Sequence, residues 1–101
     1  MESNSPNRFV ISTEAQYDLE DIYVYTLFRF GIDQADSYIL SFDSILERIA
    51  SKPDLGKQGE GYLSDLFAYH HQSHVIFYDI TKYGIRVQRI LHHVRDFKRH
   101  L

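Results

Sequence analysis

Residues 31–56, GIDQADSYILSFDSILERIASKPDLG, carry the strongest period in the chain. Ala35, Tyr38, Ile39, Phe42, Ile45, Leu46 and Ile49 recur at i, i+3, i+4 and i+7, the spacing that places side chains on one face of an α-helix. Asp33 is positioned to cap its start, and Pro53 and Gly56 stand where a helix is expected to have stopped. An apolar stripe this long needs a partner surface, and the sequence on either side supplies two.

Upstream, Gly31 reads as the residue just past the end of an earlier helix. Ala15, Leu19, Ile22, Tyr23, Thr26 and Phe30 form that helix's inner face. Ser12 or Thr13 can cap it, Thr13 with Gln16 resembles a capping box, and Glu14 and Asp18 put negative charge where the helix dipole favours it. With only two or three residues between the helices, the pair is expected to be an antiparallel hairpin. Arg8–Ser12, before the cap, is short and β-prone.

Downstream, Pro53–Gly61 holds three glycines and reads as a mobile loop. Strand candidates follow at Tyr62–His70, His74–Ile80 and Ile85–His92, separated by His71-Gln72-Ser73 and Thr81-Lys82-Tyr83-Gly84. Such short links make neighbouring strands antiparallel. In the last strand Ile85 and Val87 alternate, but Ile90 and Leu91 are adjacent, so one extra residue near Gln88–Arg89, a β-bulge, is expected to restore the register. Two helices followed by strands, with no βαβ alternation, predict an α+β fold: an N-terminal strand, an antiparallel αα-hairpin and a three-stranded antiparallel meander, with the helices on one sheet face. Residues 1–7 read as a disordered leader and 8–101 as a single domain.

The 101 residues contain no cysteine, which excludes a disulfide framework, a thiolate zinc site and a thiol nucleophile. No basic, apolar leader marks a signal peptide and no apolar run is long enough to span a bilayer, so a cytoplasmic protein is expected. The formal net charge of −3 disfavours a protein whose whole surface grips nucleic acid, and no direct sequence-specific nucleic-acid binding is expected. That sum hides a division. Residues 84–101 hold Arg86, Arg89, Arg95, Lys98 and Arg99 against Asp96 (5 − 1 = +4), which leaves −7 for the rest.

Several segments in register resemble the RelE/ParE superfamily of bacterial toxins from type II toxin–antitoxin modules, and within it the ParE branch. They are Ala15 with Asp18-Leu19, Ile22 and Tyr25; Gly31, Ala35, Tyr38, Phe42 and Ile45; Pro53-Asp54-Leu55-Gly56; His74-Val75-Ile76-Phe77-Tyr78; Ile85-Arg86-Val87; Arg89-Ile90-Leu91-His92; and Arg95-Asp96 with Arg99-His100-Leu101. The resemblance covers about residues 8 to 101. It implies a toxin without cofactors, held inactive in a hetero-oligomer with a cognate antitoxin. ParE-like members are associated with poisoning DNA gyrase, whereas RelE-like members cut mRNA in the ribosome. An RNA-cutting surface needs cations for phosphates, and an acidic body therefore favours the gyrase branch. One departure stands out. Gly61-Tyr62-Leu63-Ser64-Asp65-Leu66-Phe67 lacks the arginine that often precedes the phenylalanine here, and no lysine or arginine occupies residues 58–81. A toxin fold that only binds antitoxin is the third alternative.

Candidate residues follow from charge, exposure and chemistry. Arg86, Arg95, Lys98 and Arg99 are candidates to meet an acidic antitoxin or gyrase, against the plain alternative of a solvated charged face. Tyr17, Val24 and Phe28 lie off the helix's inner face and, if exposed, form an apolar interface. An antitoxin's disordered tail would fold there or on an open sheet edge. For an endonuclease, Arg89, His92 and Arg95 are the only crowded set able to hold phosphate and move protons. His70, His71 and His74 cluster in sequence, but adjacent strand residues face opposite ways and only Asp65 and Asp79 lie nearby, so no metal is expected. Tyr78 and Tyr83 read as half-buried sheet tyrosines, and His92 as a structural histidine near the sheet end.

Overall fold

The computed structural model describes residues 8–59 and 65–93. The chain runs β1 (Arg8–Ile11), α1 (Thr13–Phe30), α2 (Ile32–Ser51), a 3₁₀ turn (Pro53–Leu55), β2 (Lys57–Gln58), β3 (Phe67–His71), β4 (His74–Thr81) and β5 (Gly84–His92). The expected α+β architecture is present, with β3, β4 and β5 forming the antiparallel meander. The sheet order is β1-β5-β4-β3-β2, and β1 adds to β5 in parallel, with Arg8 opposite Gly84 and Ile11 opposite Val87. A side chain at Gly84 (φ 148°) would overlap the backbone of Arg8, so the close approach of β1 depends on this glycine.

Both helices pack on one sheet face. Ile22 of α1 and Phe42, Leu46 and Ile49 of α2 are buried with Ile76, Tyr78, Ile85, Val87 and Ile90 of the sheet. Truncating a fully buried side chain such as Phe42 or Leu46 to alanine costs about 2–5 kcal/mol in cores of this kind. Val75, Phe77 and Leu91 form a second cluster with Leu66 and Ala68.

The helix boundaries correct several details. Ser12 is the N-cap of α1, its Oγ accepting from the Ala15 amide at 3.0 Å; the box expected at Thr13 does not form, because the third helical residue is then Ala15, and Gln16 instead donates to the Ile11 carbonyl. Gly31 alone joins the helices. With φ 92° it ends α1, its amide donating to the Leu27 carbonyl, and it also occupies the N-cap of α2. Asp33 is therefore not the cap but lies in the first turn, where its charge still suits the dipole. Phe30 leaves the core stripe, because the chain turns immediately after it, and is 63% exposed.

The sheet boundaries move too. The stretch expected to be a mobile loop contains the 3₁₀ turn and β2, because a Tyr78 hydroxyl bond holds the first and pairing with Phe67 and Ala68 holds the second. β3 starts at Phe67, since Asp65 is in a turn and Leu66 in a bend rather than the strand expected there, and it extends to His71, leaving Gln72-Ser73 as the turn, with Gln72 at φ 55°. Tyr62–Ser64, the leader and the tail from residue 94 lie outside the described residues. The expected bulge is present: Phe77 pairs with Arg89 and Tyr78 with Val87, so Gln88 is the extra residue.

Candidate partner-binding surface

Tyr17, Val24 and Phe28 stand on the face of α1 opposite Ala15, Ile22 and Thr26, and they are 61%, 49% and 84% exposed. They do not pack on the strands. Phe30, Ile32 and Tyr25, also exposed, extend the apolar surface around the turn between the helices. Surface of this composition marks interfaces in soluble proteins. Sequence periodicity finds Tyr17, Val24 and Phe28. It misses the tip, because Phe30 and Ile32 fit helical stripes whose geometry ends at Gly31.

Arg29 sits in that tip. Its guanidinium lies over the Tyr25 ring at 5.5 Å and the Phe30 ring at 5.8 Å, and Nη1 donates to the Tyr25 hydroxyl at 3.0 Å. The two helices are tied by Tyr23, whose hydroxyl donates to Asp36 Oδ1 at 2.7 Å. That bond, then burial and the Asp36 charge, raise the phenol's pKa.

Of the three endonuclease candidates, Arg89 and His92 lie within the described residues, and both are engaged by neighbouring side chains. Arg89 makes a two-pronged ion pair with Asp18 of α1, at 2.8 Å and 3.0 Å, and the same carboxylate accepts from the Ile90 amide at 2.9 Å. This contact has a topological cause. β1 stops at Ile11, so β5 beyond the bulge has no neighbouring strand there. Ser12 Oγ donates to the Gln88 carbonyl, and Asp18 takes the next exposed amide. Asp18 lies beyond the first turn of α1, where Glu14 is the acidic residue, so it serves this bond rather than the helix dipole. His92 is half-buried, 5.3 Å edge-to-face from His74 and 5.4 Å stacked on His93. Arg95 lies outside the described residues, as do Lys98 and Arg99.

Arg86 is exposed on β5 and pairs with Asp79 of β4 at 2.8 Å. Burial pushes the Asp79 carboxyl up, but hydrogen bonds from Arg86 and Gln88 outweigh it and hold the pKa below the usual value. The histidines at the β3–β4 turn are held by α2. Ser41 donates to the Tyr38 carbonyl and so accepts from His71 Nε2 at 2.8 Å, while the Tyr38 hydroxyl meets His74 Nδ1 at 2.8 Å. Burial lowers the His71 pKa and raises that of Tyr38. His70 is exposed. Among the described residues no three His, Asp or Glu side chains converge on a metal-sized site, and no helix is long and apolar enough to cross a membrane.

Tyr78 is fully buried rather than half-buried. Its hydroxyl donates to the Pro53 carbonyl at 2.7 Å and accepts from the Gly56 amide at 2.9 Å, and burial raises its pKa. Tyr83 is 39% exposed, because it belongs to the turn and not to the sheet, with Lys82 over its ring at 5.6 Å.

A family model described as the ParE toxin of type II toxin–antitoxin systems matches residues 9–97. Toxin ParE1 of Mycobacterium tuberculosis is 33% identical over 96 residues, covering 94% of this chain and 98% of the relative. Toxin ParE1 of Caulobacter vibrioides is 33% identical over 93 residues, covering 90% and 94%. Among solved structures, a chromosomal ParDE system from P. aeruginosa superposes with a TM-score of 0.72 at 13% identity, over 83% of this chain and 92% of that one. The RelBE2 toxin–antitoxin complex from Mycobacterium tuberculosis gives 0.66 at 15% identity, over 86% and 98%. The two structures share the fold. The family model, running from β1 past the end of β5, and the two toxins together place this chain in the ParE toxin family of type II toxin–antitoxin systems.

Proposed function

We propose that this protein is a toxin that inhibits DNA gyrase by binding it, without catalysis of its own, and that a cognate antitoxin neutralises it by docking on the exposed face of α1. The observation that carries the non-catalytic reading is the Arg89–Asp18 pair. A ribonuclease would turn that cation toward a phosphate, whereas here a carboxylate and the bulged strand hold it against α1. The imidazole of His92 packs among other imidazoles. Family membership and the aligned Tyr17, Val24 and Phe28 support an antitoxin partner on α1. Within this reading Arg95, Lys98 and Arg99 supply the positive charge that meets antitoxin or gyrase, and Arg86, exposed but paired with Asp79, would have to exchange that carboxylate for a partner's to join them.

Regulated expression with and without the antitoxin tests the reading. Gyrase inhibition is expected to give DNA breaks and filamentous cells, suppressed by the antitoxin. Rapid loss of translation with cleaved mRNA would indicate the endonuclease instead, and the absence of any phenotype would favour a fold that only binds antitoxin.

A further inference from the structure

We propose that Arg29, at the turn between α1 and α2, anchors a carboxylate of the docked antitoxin and fixes the direction in which the antitoxin segment lies along α1. The proposal rests on the reading that the antitoxin docks on this helix. Three observations carry it. Between Thr13 and Glu47 Arg29 is the only lysine or arginine, against three glutamates and five aspartates. Among the described residues, no carboxylate pairs with it, although both helices are rich in them. The guanidinium is instead held over two exposed rings, with one of its N–H groups spent on Tyr25.

A guanidinium has five N–H donors arranged as a fork that fits a carboxylate. Rings beneath it fix its plane and exclude water from one side, which strengthens a charge-assisted hydrogen bond made on the other. Exposed aromatics around an arginine are also the composition of interface hot spots. Phe28, 84% exposed, and Ile32, 60% exposed, provide apolar contact on either side of the arginine in sequence. The fitting occupant is therefore an apolar segment carrying one aspartate, glutamate or terminal carboxylate at this point. Glu20 and Asp21 lie just over two turns further toward the N-terminus of α1, on the exposed face with Tyr17 and Val24. They repel acids there, so the segment's carboxylate is confined to the tip and its neutral or basic part lies near Tyr17. Charge thus sets orientation as well as affinity.

Calorimetry with the full-length toxin and the antitoxin encoded beside it tests this. Arg29→Glu is expected to weaken binding by about 30-fold or more and Arg29→Lys by less, since lysine keeps the charge but not the fork. Both variants should stay folded and melt within about 4 °C of the wild type, because Arg29 is exposed. Changing the antitoxin's carboxylates to arginine one at a time should reveal one position that restores binding to Arg29→Glu. Wild-type affinity for Arg29→Glu, or a loss that no such exchange recovers, would overturn the anchor while leaving antitoxin binding intact. Failure of the wild-type toxin to bind would overturn the antitoxin reading itself.

Discussion

Tyr78 shows how much one side chain can hold in this protein. Its hydroxyl bridges the Pro53 carbonyl and the Gly56 amide, so the turn after α2 is pinned to the middle strand of the sheet. A Cβ at residue 56 would come within 2.5 Å of that hydroxyl, which gives Pro53-Asp54-Leu55-Gly56 its physical meaning: proline to leave the helix and glycine to let the backbone reach the tyrosine. Tyr78→Phe should therefore lower stability by about 1 kcal/mol in a urea titration, since a partly buried amide and carbonyl lose their partner while the ring still fills its space. His71 makes a pH prediction. Burial lowers its pKa in the folded state below the ordinary 6.5, so the unfolded chain binds more protons there. Its contribution is complete above about pH 6.5 and is lost as the pH falls below that value. His71→Gln keeps an N–H for Ser41 and should flatten the melting-temperature profile below pH 6.5. An unchanged profile would remove His71 from the account.

Among the elements, β5 and α1 carry the features that matter for partners. The bulge was legible because adjacent Ile90 and Leu91 break a period of two, and Gln88 is the residue that restores it. Its consequence was not legible. That Asp18 replaces the missing β1 neighbour follows from where β1 ends, and parallel pairing of two strands more than seventy residues apart leaves no local signal. The helix hairpin was readable from its stripes, whereas its one-residue link was not, because Asp33 is as good a cap in composition as Gly31 is in conformation. Exposure of Tyr17, Val24 and Phe28 was readable only as a condition, since an aromatic residue off the main stripe can equally touch a neighbouring strand. If α1 receives the antitoxin, amide exchange across residues 17–28 should slow on adding it, beyond the protection the helix has alone. Unchanged exchange across that face would place the antitoxin elsewhere.

At the scale of the whole molecule, charge is divided along the chain: −7 over residues 1–83 and +4 over residues 84–101. In the described part of that segment, Arg86 is matched by Asp79 and Arg89 by Asp18, so two of its cations neutralise the body that carries them. The remaining three, Arg95, Lys98 and Arg99, lie in the tail. Reversing Arg95 and Arg99 together is expected to weaken antitoxin binding by about tenfold at low salt and by much less near 0.5 M salt, where screening is strong. Equal affinity at low salt would make the tail a solvated face. The choice of target remains the central claim, and a supercoiling assay with purified gyrase, relaxed plasmid and this toxin tests it most directly. The account predicts loss of supercoiling with accumulation of cleaved DNA, reversed when antitoxin is added. Full supercoiling at saturating toxin, together with mRNA cleavage in a purified translation system, would contradict it.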